Sequence, residues 1–141
     1  MNIAVGIDEA GRGCWAGPLV AAAVILDKDI PGLDDSKKLS KKTRFRLADQ
    51  IYDLALAVGV GWVDAQTIDR VGLTVATSMA MNQAISQIGI EYSGIIIDGN
   101  YNYLQEHKNV ITVPGADAIY ACVSAASIIA KVSRDKFMTD L

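Results

Sequence analysis

The stretch Ile3-Ala4-Val5-Gly6-Ile7-Asp8-Glu9-Ala10-Gly11-Arg12-Gly13-Cys14-Trp15-Ala16-Gly17-Pro18 decides how the rest of the chain is read. Ile3, Val5 and Ile7 alternate with Ala4, Gly6 and Asp8, which reads as a strand buried on both faces. Asp8 ends one face of that strand, and a turn at Ala10-Gly11 is expected to swing Glu9 back beside it. Two carboxylates held side by side resist ionising together. A hard divalent cation such as Mg²⁺, which takes oxygen ligands of this kind, relieves the repulsion. The glycines that follow let backbone N–H groups approach a bulky anion, and Arg12 adds a charged fork for phosphate. The stretch reads as half of a metal-dependent phosphodiester site placed at a strand end.

The totals frame that reading. A chain of 141 residues with 51% hydrophobic content can bury a core of its own. Mean hydropathy is +0.26, yet the longest apolar run, Leu19 to Leu26, falls well short of the ~18 residues of a membrane span. The N-terminus carries no basic region followed by a small-residue cleavage site, so no secretion and no membrane association is expected. Cys14 and Cys122 stand apart from each other and from any histidine cluster, which argues against zinc or a disulfide framework and fits a cytoplasmic setting. The net charge of −3 speaks against a nucleic-acid partner only as a sum. Lys37, Lys38, Lys41, Lys42, Arg44 and Arg46 form one basic run, and Lys131, Arg134 and Lys136 a thinner one. Taken alone, such runs are most often solvated helix faces.

Beyond Pro18, Leu19 to Leu26 reads as a second strand, antiparallel to the first across a short turn. Ser40 is placed to cap a helix running to about Tyr52. Leu56 to Val63 reads as a third strand. Asp64 and Thr67 are candidate caps for a short helical piece, and Thr74 to Ile88 as a helix ended by Gly89. Ser93 to Ile97 is a buried strand ending at Asp98, and Asn109 to Val113 a fifth strand stopped by Pro114-Gly115. The last stretch reads as one long helix from about Ala118, opened by Asp117. Three strands in meander order, then helix, strand, strand and helix, specify an α/β domain over residues 1–141: a mixed sheet covered on both faces.

Sheets of this class place their sites at strand ends. Asp8, Glu9 and Asp98 lie at such ends, and Asp117, just past the fifth strand, can reach the same crevice. Four carboxylates suit two divalent ions roughly 3.5–4 Å apart. Each has a plainer reading: Asp117 as a helix cap, Asp98 as a turn former in Asp-Gly-Asn. Rival chemistries have less behind them. His107, the one histidine, sits in a polar segment with no orienting partner and reads as a surface residue. Cys14 reads as a small packing residue, and Trp15 and Trp62 as packing rather than base-stacking residues. Gly11-Arg12-Gly13 with Gly17 echoes a dinucleotide loop, but such a loop must open a helix and Pro18 opens a strand. An actin-like phosphate loop at Gly6-Ile7-Asp8 would need a second glycine-rich phosphate strand and a longer chain.

Asp8-Glu9-Ala10-Gly11-Arg12-Gly13, Asp35-Ser36-Lys37-Lys38-Leu39, Asp98-Gly99-Asn100 and Ser124 through Val132 with Arg134-Asp135 together resemble type 2 ribonuclease H, the ribonuclease HII family. The motifs come in the family's order and cover nearly the whole chain. The resemblance implies the ribonuclease H-like fold, a five-stranded mixed sheet flanked by helices. It implies an endonuclease that cleaves the RNA strand of RNA–DNA hybrids, and single ribonucleotides embedded in duplex DNA, leaving 3′-OH and 5′-phosphate ends. Its cofactor would be Mg²⁺ or Mn²⁺, two ions in the active complex, and the chain is expected to act as a monomer.

By the same resemblance Asp8, Glu9, Asp98 and Asp117 are the metal-binding carboxylates, and Asp135 is a helix-surface residue. Gly11, Arg12 and Gly13 correspond to the strip holding the ribonucleotide 2′-OH and adjoining phosphate; 2′-OH contact is how a protein tells RNA from DNA at one position. Ser36, Lys37 and Lys38 correspond to a loop touching the strand backbone near the cut, and Ser124 and Lys131 to contacts along the duplex. Cys14-Trp15 departs from the Pro-Leu common after the glycine strip, and Gly115 and Ile119 stand where the family often carries lysine. The family also continues past the final helix to a tyrosine that stacks on a sugar; Tyr101, Tyr103 and Tyr120 are not at the matching place. The C-terminal part of the family's fold is therefore expected to be missing, which leaves a non-catalytic domain that binds hybrid duplexes as the alternative function.

Overall fold

The structure, a computed structural model, describes residues 3–13, 17–33 and 38–140. Strands β1 (Ala4–Ala10) and β2 (Leu19–Ile25) pair antiparallel with Ile7 opposite Ala23, as the opening stretch predicts. Strand β3 (Ala57–Val63) adds antiparallel to the far side of β2. On the other side of β1, strand β4 (Gly94–Asp98) runs parallel, with Ile7 opposite Ile97, and β5 (Val110–Val113) runs parallel to β4. The sheet order is β3-β2-β1-β4-β5, the five-stranded mixed sheet expected of the ribonuclease H-like fold. Because Ile7 and Ile97 are in register, Asp8 near the end of β1 and Asp98 at the end of β4 lie side by side on one face.

Both faces are covered. Helix α3 (Leu73–Ser86), reached through the short α2 (Ala65–Val71), packs Ala80, Met81 and Ala84 onto Val5, Ile7, Ala21, Ala23 and Ile97. Helices α1 (Lys41–Leu54) and α4 (Ala121–Thr139) pack Leu47, Ile51, Ala125, Ala126 and Ile129 onto Ala22 and Val24 of the opposite face. Burying an Ile or Leu side chain of this kind stabilises by about 1.5–3 kcal/mol, so the run Ile95-Ile96-Ile97 is a large part of what fixes β4 between β1 and β5. Small residues set the layer spacing. A Cβ on Gly59 or Gly61 would stand 2.0 Å from the carbonyl oxygens of Ala84 and Ala80, so only glycine lets α3 lie this close on β3. From that position Gln87 bonds both the amide and the carbonyl of Val60, and Gln83 accepts from the Trp62 amide (2.9 Å), closing much of an edge strand that would otherwise offer open backbone.

Ser40 caps α1, its Oγ accepting from the Thr43 amide, and Asp64 caps α2 by accepting from the Thr67 amide (2.8 Å), so Thr67 is the donor rather than a cap. The last helix differs from expectation. Gly115 adopts φ +72°, Ala116–Ala118 form a 3₁₀ turn, and α4 starts only at Ala121 with Tyr120 as its uncapped N-terminus. Asp117 is thus not a helix cap. The cause is an anchor from the sheet: Asp98 Oδ1 accepts from the Ala116 amide (2.9 Å), which holds this turn at the end of β4. No helix among the described residues is long and apolar enough to cross a membrane.

Candidate active site

Three carboxylates converge at the C-terminal ends of β1 and β4. Asp8, Asp98 and Asp117 each offer an oxygen within 4.8 Å of the other two. Asp8 is 8% exposed and Asp117 5%. Glycine 6 makes the convergence possible: a Cβ there would stand 2.4 Å from backbone atoms of Cys122 and Val123, so α4 can begin hard against β1 and bring its preceding turn over Asp8. Past Asp98, Gly99 turns the chain with φ +117°, a conformation that favours glycine.

Burial pushes the Asp8 carboxyl well above the usual carboxylate range, and the charges of Glu9 and Asp98 push it further. A cluster of acids that resists ionisation is the donor set a hard divalent ion satisfies, with oxygen ligands and no nitrogen or sulfur to favour softer metals. Asp8, Asp98 and Asp117 fit such an ion by chemistry and by spacing.

Glu9 differs from expectation. Strand β1 runs on to Ala10, and Glu9 sits opposite Ala21 inside the ladder rather than in a turn, yet its carboxyl still reaches the Asp8 carboxyl. Its Oε1 lies 3.7 Å from an Arg12 nitrogen, and its own amide donates to Asp8 Oδ1 (2.9 Å). Burial raises the Glu9 carboxyl too, against the lowering pull of Asp8's hydrogen bond and the Arg12 charge. Glu9 borders the same cleft, a cavity of about 350 Å³ shared with Asp8, Asp98 and Arg12.

Arg12 is the half-exposed residue of the glycine loop, and its guanidinium stacks over the Tyr103 ring at 5.2 Å. Gly11 (φ +99°) packs onto Arg134 of α4, whose Nε donates to the Pro18 carbonyl (2.9 Å), so α4 supports the loop from beneath. Gly13 is exposed with open space around it. Lys38 is exposed and Lys131 half-buried on α4, while Ser36, Lys37 and the motif's Asp35 lie outside the described residues, as do Cys14 and Trp15.

Ser124 is a correction. It is 1% exposed, and its hydroxyl donates to the Leu33 carbonyl, so it ties α4 to the loop before the Asp35-Ser36-Lys37 motif rather than facing a duplex. Helical spacing alone does not distinguish such a face when serines and alanines fill it.

The basic run divides. Lys41, Lys42 and Arg46 are exposed on α1, whereas Arg44 reaches the Leu39 carbonyl and Asp135 (3.6 Å), which places Asp135 away from the carboxylate cluster. His107 is half-buried and bonded to Asn82 (2.9 Å) rather than free at the surface. Tyr101 and Tyr103 were not singled out by sequence reasoning as part of the site, yet both border the cleft. Their signal was adjacency: they follow Asp98-Gly99-Asn100 directly in the chain.

Comparison with known proteins agrees with this geometry. A family profile described as Ribonuclease HII matches residues 5–141. A ribonuclease HII of Thermotoga maritima is 43% identical over 99% of this chain and 57% of its own length, and one of Dichelobacter nodosus 45% identical over 96% and 72%. The chain thus spans little more than half of the first relative and under three quarters of the second. Among solved structures, the ribonuclease H2 of Pyrococcus horikoshii superposes with a TM-score of 0.84 at 31% identity, covering 98% of this chain and 74% of that one. Bst-RNase HIII in complex with Mn²⁺ superposes with a TM-score of 0.83 at 25% identity, over 99% and 54%. With the sheet order, the clustered aspartates and the motif order all in agreement, the chain belongs to the ribonuclease HII family.

Proposed function

We propose that this chain is a metal-dependent endonuclease of the type 2 ribonuclease H kind, cutting the RNA strand of RNA–DNA hybrids and single ribonucleotides embedded in duplex DNA. The observation that carries the reading is the meeting of Asp8, Asp98 and Asp117 within 4.8 Å at adjoining strand ends. These three, with Glu9 at the rim, would hold the cations. A bound pair of Mg²⁺ or Mn²⁺ ions supplies the positive charge that activates a water and stabilises the leaving oxygen in phosphodiester hydrolysis. Asp98 fixes the Ala116–Ala118 turn through the Ala116 amide and so holds Asp117 in place. Arg12, with the backbone of Gly11 and the open backbone of Gly13, meets the ribonucleotide's 2′-OH and its phosphate, and Tyr103 beneath Arg12 limits where the guanidinium can point. Lys38 and Lys131 contribute charge along the duplex, as would Lys37, Ser36 would add a hydroxyl contact to its backbone, and cleavage leaves a 3′-OH and a 5′-phosphate.

The test is to incubate the purified chain with a DNA duplex bearing one ribonucleotide, and with a full hybrid, in Mg²⁺, Mn²⁺ or EDTA. Metal-dependent products ending in 3′-OH and 5′-phosphate are expected, and Asp98→Asn should remove them. Asparagine keeps an oxygen for the Ala116 amide but gives up the charge, so in EDTA the variant should melt no lower than the parent. Cleavage by Asp98→Asn at the parent rate would overturn the assignment. Tight binding without product in any metal would instead mark the chain as a hybrid-binding domain.

A further inference from the structure

Helix α3 carries Ser78 and Asn82 one turn apart, on the side that meets the chain between β4 and β5. Ser78 Oγ donates to the Tyr103 carbonyl (2.8 Å), and Asn82 Oδ1 bonds His107 Nε2 (2.9 Å). Asn82 Nδ2 in turn donates to the Ser78 carbonyl (3.0 Å). One face of the helix thus pins the segment from Tyr103 to His107 at both ends. The Tyr103 ring held in this way is 8% exposed and lies under the Arg12 guanidinium at 5.2 Å. Among the described residues, Arg12 has no hydrogen bond to set its direction. Its Nε is buried and unbonded, and the Glu9 oxygen at 3.7 Å is too far for such a bond. Attraction to a ring face draws a cation in without fixing its direction, so the place of the ring decides the place of the guanidinium.

We infer that Ser78 is a positioning residue for the ribonucleotide site: it holds Tyr103 by the carbonyl and, through the ring, aims Arg12. This rests on the reading of Arg12 above and deepens it by tracing preference for a ribonucleotide back to helix α3. Without the hydroxyl, the segment and the guanidinium over it spread across more positions, and fewer of them meet the 2′-OH. Apparent affinity falls by the fraction that stays aligned. One hydrogen bond of ordinary net strength sets that factor at about 2–10-fold.

The experiment measures binding by anisotropy in Ca²⁺, for a duplex with one ribonucleotide and for its all-DNA counterpart, and cleavage kinetics in Mn²⁺. Ser78→Ala should weaken binding of the ribonucleotide duplex about 2–10-fold and that of the all-DNA duplex less, raising KM with kcat within twofold. Ser78→Thr keeps a hydroxyl and should recover the parent's preference. Asn82→Ala, which frees the His107 end, should act in the same direction as Ser78→Ala. In an Arg12→Ala background neither change should weaken binding further, because both act through Arg12. A general loosening of the fold would persist in that background, so the cycle separates aim from stability. Parental binding by Ser78→Ala, an equal loss on both duplexes, or a loss undiminished without Arg12 overturns the inference. Preference that depends on Ser78 in a chain that cuts nothing would sustain the positioning role and refute the nuclease. Cutting with a preference that ignores Ser78 would do the reverse.

Discussion

Replacing Gly6 by alanine tests how the acidic cluster is assembled without touching any carboxylate. The new Cβ would stand 2.4 Å from the Cys122 carbonyl carbon and the Val123 nitrogen. Carbon atoms rest at about 3.5 Å or more, so the start of α4 must retreat by about 1 Å. Backbone, unlike the end of a flexible side chain, has nowhere to rotate, which places the penalty toward the top of the ~1–3 kcal/mol typical of overpacking. With an unfolding entropy of about 2.1 cal/mol/K per residue over this chain, 2–3 kcal/mol lowers Tm by about 7–10 °C. The same retreat carries the Ala116–Ala118 turn with it. The 2.9 Å bond from the Ala116 amide to Asp98 stretches, and Asp117 leaves the other two carboxylates. Calorimetry should therefore show a lowered Tm together with weakened Mn²⁺ binding. Gly89→Ala, where a Cβ meets nothing within 4 Å, serves as the control and should change neither. A Gly6→Ala protein that melts with the parent and binds Mn²⁺ equally well would refute the reasoning.

Three further outcomes are expected. Because burial and its acidic neighbours raise Asp8's carboxyl in the folded chain, its contribution to stability is full below the unfolded carboxylate range and is lost as pH rises through the raised value; in EDTA, Asp8→Asn should out-melt the parent by a margin that widens as pH rises above the ordinary carboxylate range, and a constant or reversed margin counts against it. Saturating Mn²⁺ at about a hundred times Kd should add about 2.7 kcal/mol, or about 9 °C, to the parent and much less to Asp8→Asn, as thermal melts will show. The double change Gln83→Ala with Gln87→Ala bares the Val60 and Trp62 backbone at the sheet edge; sedimentation should then show more self-association than the parent, and an unchanged profile would mean the two glutamines do not guard that edge.

The sheet was legible in the sequence because its strands are short apolar runs with definite ends, and each end that matters carries an acid. Asp8 and Asp98 could be placed from that alone. Glu9 was less direct: whether a strand stops at residue 8 or runs to residue 10 turns on ladder bonds to Ala21 and Val20, so its carboxyl meets Asp8 from within the strand and not from a turn. Asp117 was found by its place after the fifth strand, but the turn that holds it depends on Asp98 reaching across from β4, a contact 18 residues away in sequence that no local pattern encodes. Ser124 misled for a similar reason. Its neighbours are serines and alanines, small enough to be buried against the sheet, and its hydroxyl finds Leu33 only in three dimensions. Tyr101 and Tyr103 had to be seen beside Arg12 before their chemistry could be read.

The most direct measurement is anomalous scattering from crystals of this chain grown with Mn²⁺. A peak bounded by Asp8, Asp98 and Asp117, and its loss in Asp98→Asn, is the result the account requires. Well-ordered carboxylates with no peak among them, or Mn²⁺ bound only elsewhere, would contradict it.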